Sequence, residues 1–365
     1  MRFRRALLVL LPLVLLTGCW ESKDINKRAL PVAMGICKGE HQKYRVGLRI
    51  PEPKGGTMQI RHIESEAATI SQAIESMRMK MENSIDLLHL KLILVSEDLA
   101  REGIRDIIEY TMQSSAIQSK TLVAIVNGEL SAFLSAPSED GEEAGQGFYD
   151  FFSKQAGWTP HISEATIWEV YRSLYSYTED IAIPVLSKEQ ETMFRFKGSA
   201  VMYRDKMVNL ITPNETLLYN IYQNKYDGAH IEVMEHASVV VLGAKVQKKA
   251  TLESGGPRVM NRLKVVVTIE EMKEGTTMSM IEKELKDLLQ KRFQQLTAKL
   301  QKNQSDILGF GQYFRNKMSL PELKQWREKT YPQLQLEEAV EVVIRNGGSI
   351  KTPKSGVDRP ALSNS

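Results

Sequence analysis

The chain is poor in the residues that carry redox and metal chemistry. Its 365 residues include two cysteines, Cys19 and Cys37, and six histidines, His41, His62, His89, His161, His230 and His236. Two cysteines cannot build a disulfide-rich scaffold. No two histidines lie at metal-ligand spacing on one recognisable element. His230 and His236 are six apart, with Glu232 and Glu235 between them; they read as a solvated loop or strand edge, with a metal site as the alternative. Catalytic signatures are missing as well: there is no His-Glu-x-x-His, Gly-x-Ser-x-Gly, P-loop or Gly-x-Gly-x-x-Gly. Gly309-Phe310-Gly311 lacks a third glycine and does not follow a strand, so it is no dinucleotide loop. The pairs Glu142-Glu143, Glu270-Glu271 and Glu337-Glu338 read as solvated charge, and Met77 to Met81 as a helix face. No catalytic, cofactor-binding or metal residue is therefore assigned, and the expectation is a protein that is not an enzyme and has no cofactor.

Long apolar runs are equally scarce. Ala6 to Leu16 is an eleven-residue run, too short to span a bilayer, and no later stretch has eighteen consecutive apolar residues. Arg2, Arg4 and Arg5 precede the run as a positive n-region, the pattern of a secretory signal peptide. It ends in Leu16-Thr17-Gly18-Cys19, which resembles a bacterial lipobox. That resemblance implies cleavage between Gly18 and Cys19, a diacylglyceryl group on Cys19 and a terminus held to a membrane. The alternative is an ordinary signal peptide with a chance cysteine.

A charge excess is also lacking. Residues 1–18 hold three of the 48 basic residues and no acid, which leaves 45 basic against 45 acidic residues in the mature chain. The formal +3 belongs to the discarded segment, and a neutral mature chain gives no case for nucleic-acid binding or a polybasic membrane patch. With Cys19 lipidated, Cys37 has no partner; in the apolar run Pro31 to Cys37 it reads as a buried, inert thiol. The 347 residues after the signal exceed what one core usually organises, so two or three domains are expected.

What is present is an α+β pattern. Leu30 to Cys37 and Tyr44 to Ile50 read as a hairpin, followed by a loop at Pro51, Pro53, Gly55 and Gly56. Ile63, Ala67, Ile70, Ile74, Met77 and Met81 predict one helix. Leu87 to Val95 reads as a strand, and Ser96 as the cap of a helix whose apolar face is Ile104, Ile107, Ile108 and Met112. Thr121 to Val126 and Ile181 to Leu186 are further strands. Around 138–145 the chain is acidic and reads as an exposed loop, with short aromatic-rich helices over Gly147 to Ala156 and Glu164 to Tyr175. Near residue 191 the pattern changes: a hairpin turns at Tyr203 to Lys206, and Thr212-Pro213-Asn214-Glu215 opens a helix by a capping box. Val239 to Val246 and the alternating Leu263 to Ile269 are strands. A long helix over about 277–302 follows, its apolar stripe formed by Ile281, Leu285, Leu288, Leu289, Phe293, Leu296 and Leu300. Gly309-Phe310-Gly311 is expected to turn the chain, with Phe310 filling the seam between this helix and a last strand over Leu334 to Arg345. The expected organisation is a signal at 1–18, an N-terminal α+β region over 19–190 holding one domain or two, a C-terminal α+β region over 191–350, and a disordered tail at 351–365.

Several runs in this order resemble one family. Cys19-Trp20-Glu21-Ser22-Lys23-Asp24-Ile25-Asn26 leads into Ala29 to Ile36; Phe196 to Tyr203 lies centrally; and Gln304-Ser305-Asp306-Ile307-Leu308-Gly309-Phe310-Gly311 precedes Trp326, Tyr331-Pro332 and Val342-Val343-Ile344-Arg345. The chain thus resembles the Ger(x)C lipoproteins, the C subunits of spore germination nutrient receptors, over nearly its whole length. Cys37 stands where many relatives carry an aspartate or other polar residue, and the acidic insert and tail look particular to this chain. The resemblance implies an α+β fold of about three domains, each a mixed or antiparallel sheet with packed helices. It implies a non-enzymatic subunit, lipid-anchored through Cys19 outside the inner membrane of the spore, needed for nutrient-triggered germination, with integral membrane subunits of the same receptor as partners. The competing readings are a solute-binding lipoprotein of a transporter, which the hairpins and long helix over 191–350 argue against, and a lipid-anchored cell-wall enzyme, for which no catalytic residues stand out.

Overall fold

The computed structural model describes residues 27–54, 57–136, 159–188, 195–226, 229–253 and 256–345. Cys19, the signal, the acidic loop, the helix expected over 147–156 and the tail lie outside these residues. In chain order the strands and helices are β1 (Arg28–Ala29), β2 (Ala33–Lys38), β3 (Tyr44–Lys54), β4 (Thr57–Ala67), α1 (Ile70–Arg78), β5 (Ser84–Ile85), β6 (Leu92–Ser96), α2 (Glu97–Glu102), α3 (Arg105–Gln113), β7 (Leu122–Asn127), α4 (Leu130–Leu134), α5 (Ile167–Tyr175), β8 (Ala182–Ser187), β9 (Arg195–Tyr203), β10 (Lys206–Ile211), α6 (Pro213–Tyr222), β11 (His230–Val233), β12 (Ala237–Glu253), β13 (Gly256–Met272), α7 (Met278–Lys302), α8 (Leu320–Lys324) and β14 (Gln335–Ile344).

Among the described residues three sheets form. β1 and β5 form a small parallel pair, β10-β9-β8-β7-β6-β2-β3-β4 an eight-stranded mixed sheet, and β11-β12-β13-β14 a four-stranded one. The α+β class with several sheets and packed helices is as expected. Strands β2, β6, β7 and β8 run parallel at the centre of the large sheet, and antiparallel hairpins flank them. The sheet crosses residues 190/191, because β9 pairs with β8.

The large sheet is covered on both faces. Ile93, Val95, Val123 and Ile125 face α1, α3 and α5 through Ile74, Ile107, Ile108 and Val170. Their neighbours Leu92, Leu94, Ala124 and Val126 pack with Leu130, Phe133 and Leu134 of α4. The four-stranded sheet packs its inner face, Val239, Val241, Val259, Leu263, Val265 and Val267, on the α7 stripe Ile281, Leu285, Leu289, Phe293, Leu296 and Leu300. Burial stabilises by roughly 1.5–3 kcal/mol per large apolar side chain, so this stripe is what holds α7 in place. Thr277 caps α7 by accepting from the Met280 amide at 3.3 Å. The capping box at α6 forms as expected: the Thr212 hydroxyl accepts from the Glu215 amide and the Glu215 carboxylate from the Thr212 amide. No helix among the described residues is long and apolar enough to cross a membrane.

Four local expectations are corrected. The helix expected over 63–81 is shortened, since Ile63 and Ala67 belong to β4, which pairs with β3 along its whole length. The two residues satisfy both the helical spacing and a strand alternation through the buried Ser65, and pairing with β3 decides. Pro51 and Pro53 lie within β3, not in a loop. They are tolerated because β2 stops pairing at Arg49, so from there β3 has one free side. The expected strand over 87–95 begins only at Leu92, after a 3-10 turn at Leu87–His89. The helix after Ser96 is two helices, interrupted where Gly103 takes φ +140°.

Candidate functional site

The segment that carries the family resemblance in the second half of the chain buries charged and polar groups. Ser305 and Asp306 are fully buried, as are Phe310, Trp326 and Tyr331, and Arg327 is 2% exposed. Gly309 has φ +67° and starts a 3-10 turn, a backbone shape that disfavours side chains. Gly311 is required for space: a Cβ there would lie 2.6 Å from Trp326 Nε1 and 2.7 Å from the Thr178 carbonyl. The turn therefore folds onto Asp306. One carboxylate oxygen accepts from the Phe310 amide at 3.0 Å; the other accepts from the Gly311 amide at 2.8 Å and from the Trp326 indole at 2.9 Å.

A second carboxylate completes the joint from the other half of the chain. Asp180, at the entrance to β8, accepts from both the Asp306 and Arg204 amides at 3.0 Å. Arg327 donates its Nε to both Asp180 oxygens at 2.8 and 3.0 Å, and its outer nitrogens to the carbonyls of Ser176, Tyr177 and Glu179. Ser305 donates to the Met202 carbonyl at 2.6 Å. Four separated segments, 176–180, 202–204, 305–311 and 326–327, thus meet with their polar groups satisfied, as a buried charge requires. Burial pushes the Asp306 carboxyl up to about 7 against the pull of its three N–H donors, with the Asp180 charge adding to the rise.

Lys248 of β12 borders this joint. It donates to the carbonyls of Tyr222 at 2.8 Å and Leu308 at 3.2 Å and sits over the rings of Tyr222, Phe310 and Tyr313 at 5.1–5.8 Å. Burial pulls its amine down to about 8. Phe310 meets Tyr222 of α6 edge-on at 6.0 Å. The seam that it fills lies with α6 and Lys248 of β12.

The other candidates behave differently. His230 is buried, not solvated: its ring nitrogens lie 3.0 Å from the Tyr226 hydroxyl and 3.1 Å from Glu232, which also accepts from Arg292 at 2.7 Å. Burial would raise the Glu232 carboxyl, but hydrogen bonds from His230 and Arg292 outweigh it and hold it down at about 2. His236 stays apart from this cluster and faces Glu284 at 3.2 Å. Cys37 is a half-buried free thiol raised by burial, the unreactive direction. It lines a cleft of about 210 Å³ at the carboxyl ends of β2 and β6, with Lys38, Arg45, Asp98 and Glu129. Small-molecule sites usually measure ~300–1,000 Å³. The cations here are already paired, Lys38 with Glu102 and Arg45 with Glu40 and Glu66.

Asp306, Gly309, Phe310, Gly311 and Trp326 were legible as a motif, and the structure brings them together. Asp180 and Arg327 were missed. Arg327 is 147 positions from Asp180, and neither has a local pattern that distinguishes it from solvated charge.

Comparisons with known proteins cover both halves. The family model described as the spore germination protein N-terminal domain matches residues 21–188, and that described as spore germination B3/GerAC-like, C-terminal, matches residues 197–348. A putative spore germination protein, YfkR of Bacillus subtilis strain 168, is 28% identical over 137 residues, 34% of this chain and 35% of the relative, so that alignment spans about a third of its length. Spore germination protein KC of the same strain is 22% identical over 399 aligned positions, 95% of this chain and 96% of the relative. The crystal structure of the GerBC protein superposes with a TM-score of 0.54 at 16% identity, covering 86% of this chain and 97% of that one, a likeness of fold. With both family models matched in order over most of its length, the chain belongs to the Ger(x)C family, the C subunits of spore germinant receptors.

Proposed function

We propose that the protein is the lipid-anchored subunit of a germinant receptor complex, needed for nutrient-triggered germination and held at the outer face of the spore inner membrane through Cys19. The observation that carries the reading is the match of both family models, beginning at residue 21, two residues after the Leu16-Thr17-Gly18-Cys19 sequence. Two acyl chains make attachment lasting, since each buried methylene contributes ~0.8 kcal/mol. Tethering raises the effective concentration of the folded part beside integral membrane subunits, so a weak interface suffices. In this reading the subunit performs no catalysis, binds no nucleic acid and leaves nutrient recognition to its membrane partners.

The test is Cys19→Ala in sporulating cells. Loss of the protein from the inner-membrane fraction, together with slowed germination across a nutrient panel, is expected. Normal retention with normal germination would remove the anchor from the proposal. Calorimetry of the purified chain against amino acids and sugars is expected to show no micromolar binding; such binding would make this subunit the sensor.

A further inference from the structure

Where the β11–β12 turn meets the first turns of α7, three metal-ligating side chains converge. Glu235 and His236 form the tight turn between β11 and β12, closed by the Met234 amide donating to the Ala237 carbonyl at 2.8 Å. Glu284 projects from α7 and faces His236 Nδ1 at 3.2 Å, while its other oxygen accepts from the Glu235 amide. One ligand atom from each of Glu235, His236 and Glu284 lies within 4.8 Å of the others. The turn is fixed from behind, because the His236 carbonyl accepts from the Lys273 amide at 2.9 Å. Both Glu284 and His236 keep solvent access, with side chains 24% and 39% exposed.

Charge sets this group apart from an ordinary hydrogen-bonded turn. Among the described residues, no lysine or arginine pairs with either carboxylate, and the Glu235 carboxylate has no hydrogen-bond partner at all. One of its oxygens nonetheless lies within 4.8 Å of the ligand atoms of His236 and Glu284. One imidazole with two carboxylates suits zinc and its first-row neighbours, whereas calcium and magnesium prefer all-oxygen shells. Ligand atoms around a zinc ion with ~2.0–2.1 Å bonds stand ~3.3 Å apart, a contraction that side-chain rotation supplies. The arrangement leaves a fourth position to water. We propose that Glu235, His236 and Glu284 bind one zinc ion that pins the β11–β12 turn to α7. This inference is independent of the receptor assignment, and sequence spacing does not show it because His236 and Glu284 are 48 positions apart.

The experiment uses the full-length chain purified in detergent, stripped with a chelator, and titrated with zinc chloride against a chromophoric zinc indicator. One saturable zinc per chain and a zinc-dependent rise in melting temperature are expected. Glu235→Gln is the decisive variant, since it removes a carboxylate that makes no hydrogen bond and so leaves the fold intact. It should weaken zinc binding by at least about tenfold, the scale on which disturbing a metal site acts. Glu284→Gln should do the same. Zinc affinity equal in wild type and Glu235→Gln would overturn the site, as would calcium binding as tightly as zinc. A melting temperature lowered by His236→Gln with zinc affinity unchanged would reduce the group to an imidazole–carboxylate latch and overturn it as well.

Discussion

Strands β6 and β7 are buried at nearly every position, whereas β13 alternates buried with exposed or half-buried positions from Arg258 to Glu270. The first pair sits between helices on both faces, and its successive side chains enter two separate clusters. The second lies against α7 on one face only, and its other face carries Met260, Arg262 and Lys264. A parallel strand covered on both sides reads as a continuous apolar run, and a strand covered on one side reads as a period of two. The two sheets are therefore held by the same burial energy but tolerate change very differently. The Asp180–Asp306–Arg327 joint lies between them, tying the entrance of β8 to the segments that follow α7.

The largest expected effect comes from breaking that joint. Arg327→Ala should cost about 3–5 kcal/mol in urea unfolding, because it leaves Asp180 as an uncompensated buried charge. Adding Asp180→Asn should recover much of the loss. A cost below about 1 kcal/mol for Arg327→Ala would mean that water reaches the pair.

Next is a contrast in pH response within the C-terminal core. Glu232 is held at about 2, below its ordinary 4.5, so its contribution is present above that ordinary value and is lost as pH falls from about 4.5 to about 2. The loss is on the order of 3 kcal/mol at 1.4 kcal/mol per unit. Asp306 runs the other way. Its carboxyl is raised from 3.8 to about 7, so the folded state binds the extra proton and stability falls as pH rises through that window. Unfolding followed from pH 3 to 8 in Glu232→Gln should lose the acid-side slope, and in Asp306→Asn the slope toward neutral pH. Identical slopes in wild type and variants would show that these groups keep their ordinary values.

The smaller effects compare the sheets directly. Ile125→Val removes one carbon from β7, where Ile125 is fully buried, and should cost about 0.5–1.5 kcal/mol. Met260→Ala removes more from the open face of β13, where Met260 is 50% exposed, and should change stability by less than about 0.5 kcal/mol. Thermal melts of the two variants give the ranking. A larger loss for Met260→Ala would mean that the open face is covered.

Legibility followed the range of the forces involved. The capping box at Thr212, the β9–β10 hairpin and the stripe of α7 were readable because caps, turns and periodicity act over a few residues. The helix expected from Ile63 was wrong at its start because β3 competed for the same residues through pairing. His230 read as solvated, since nothing within its own segment announces Arg292, 60 positions beyond Glu232, which lets the buried carboxylate stay charged.

By itself the sequence determined the α+β class, the long helix with its buried face, and the ordered runs by which the family is known. It also placed Asp306, Gly309, Phe310, Gly311 and Trp326 in one motif. The tertiary structure alone decided that Asp180 and Arg327 close that motif from 147 positions apart, and that Glu284 meets Glu235 and His236 at the far end of the same half. The reason is physical. Local backbone preferences are properties of neighbouring residues, whereas the state of a buried charge depends on which distant group shares its low-dielectric surroundings.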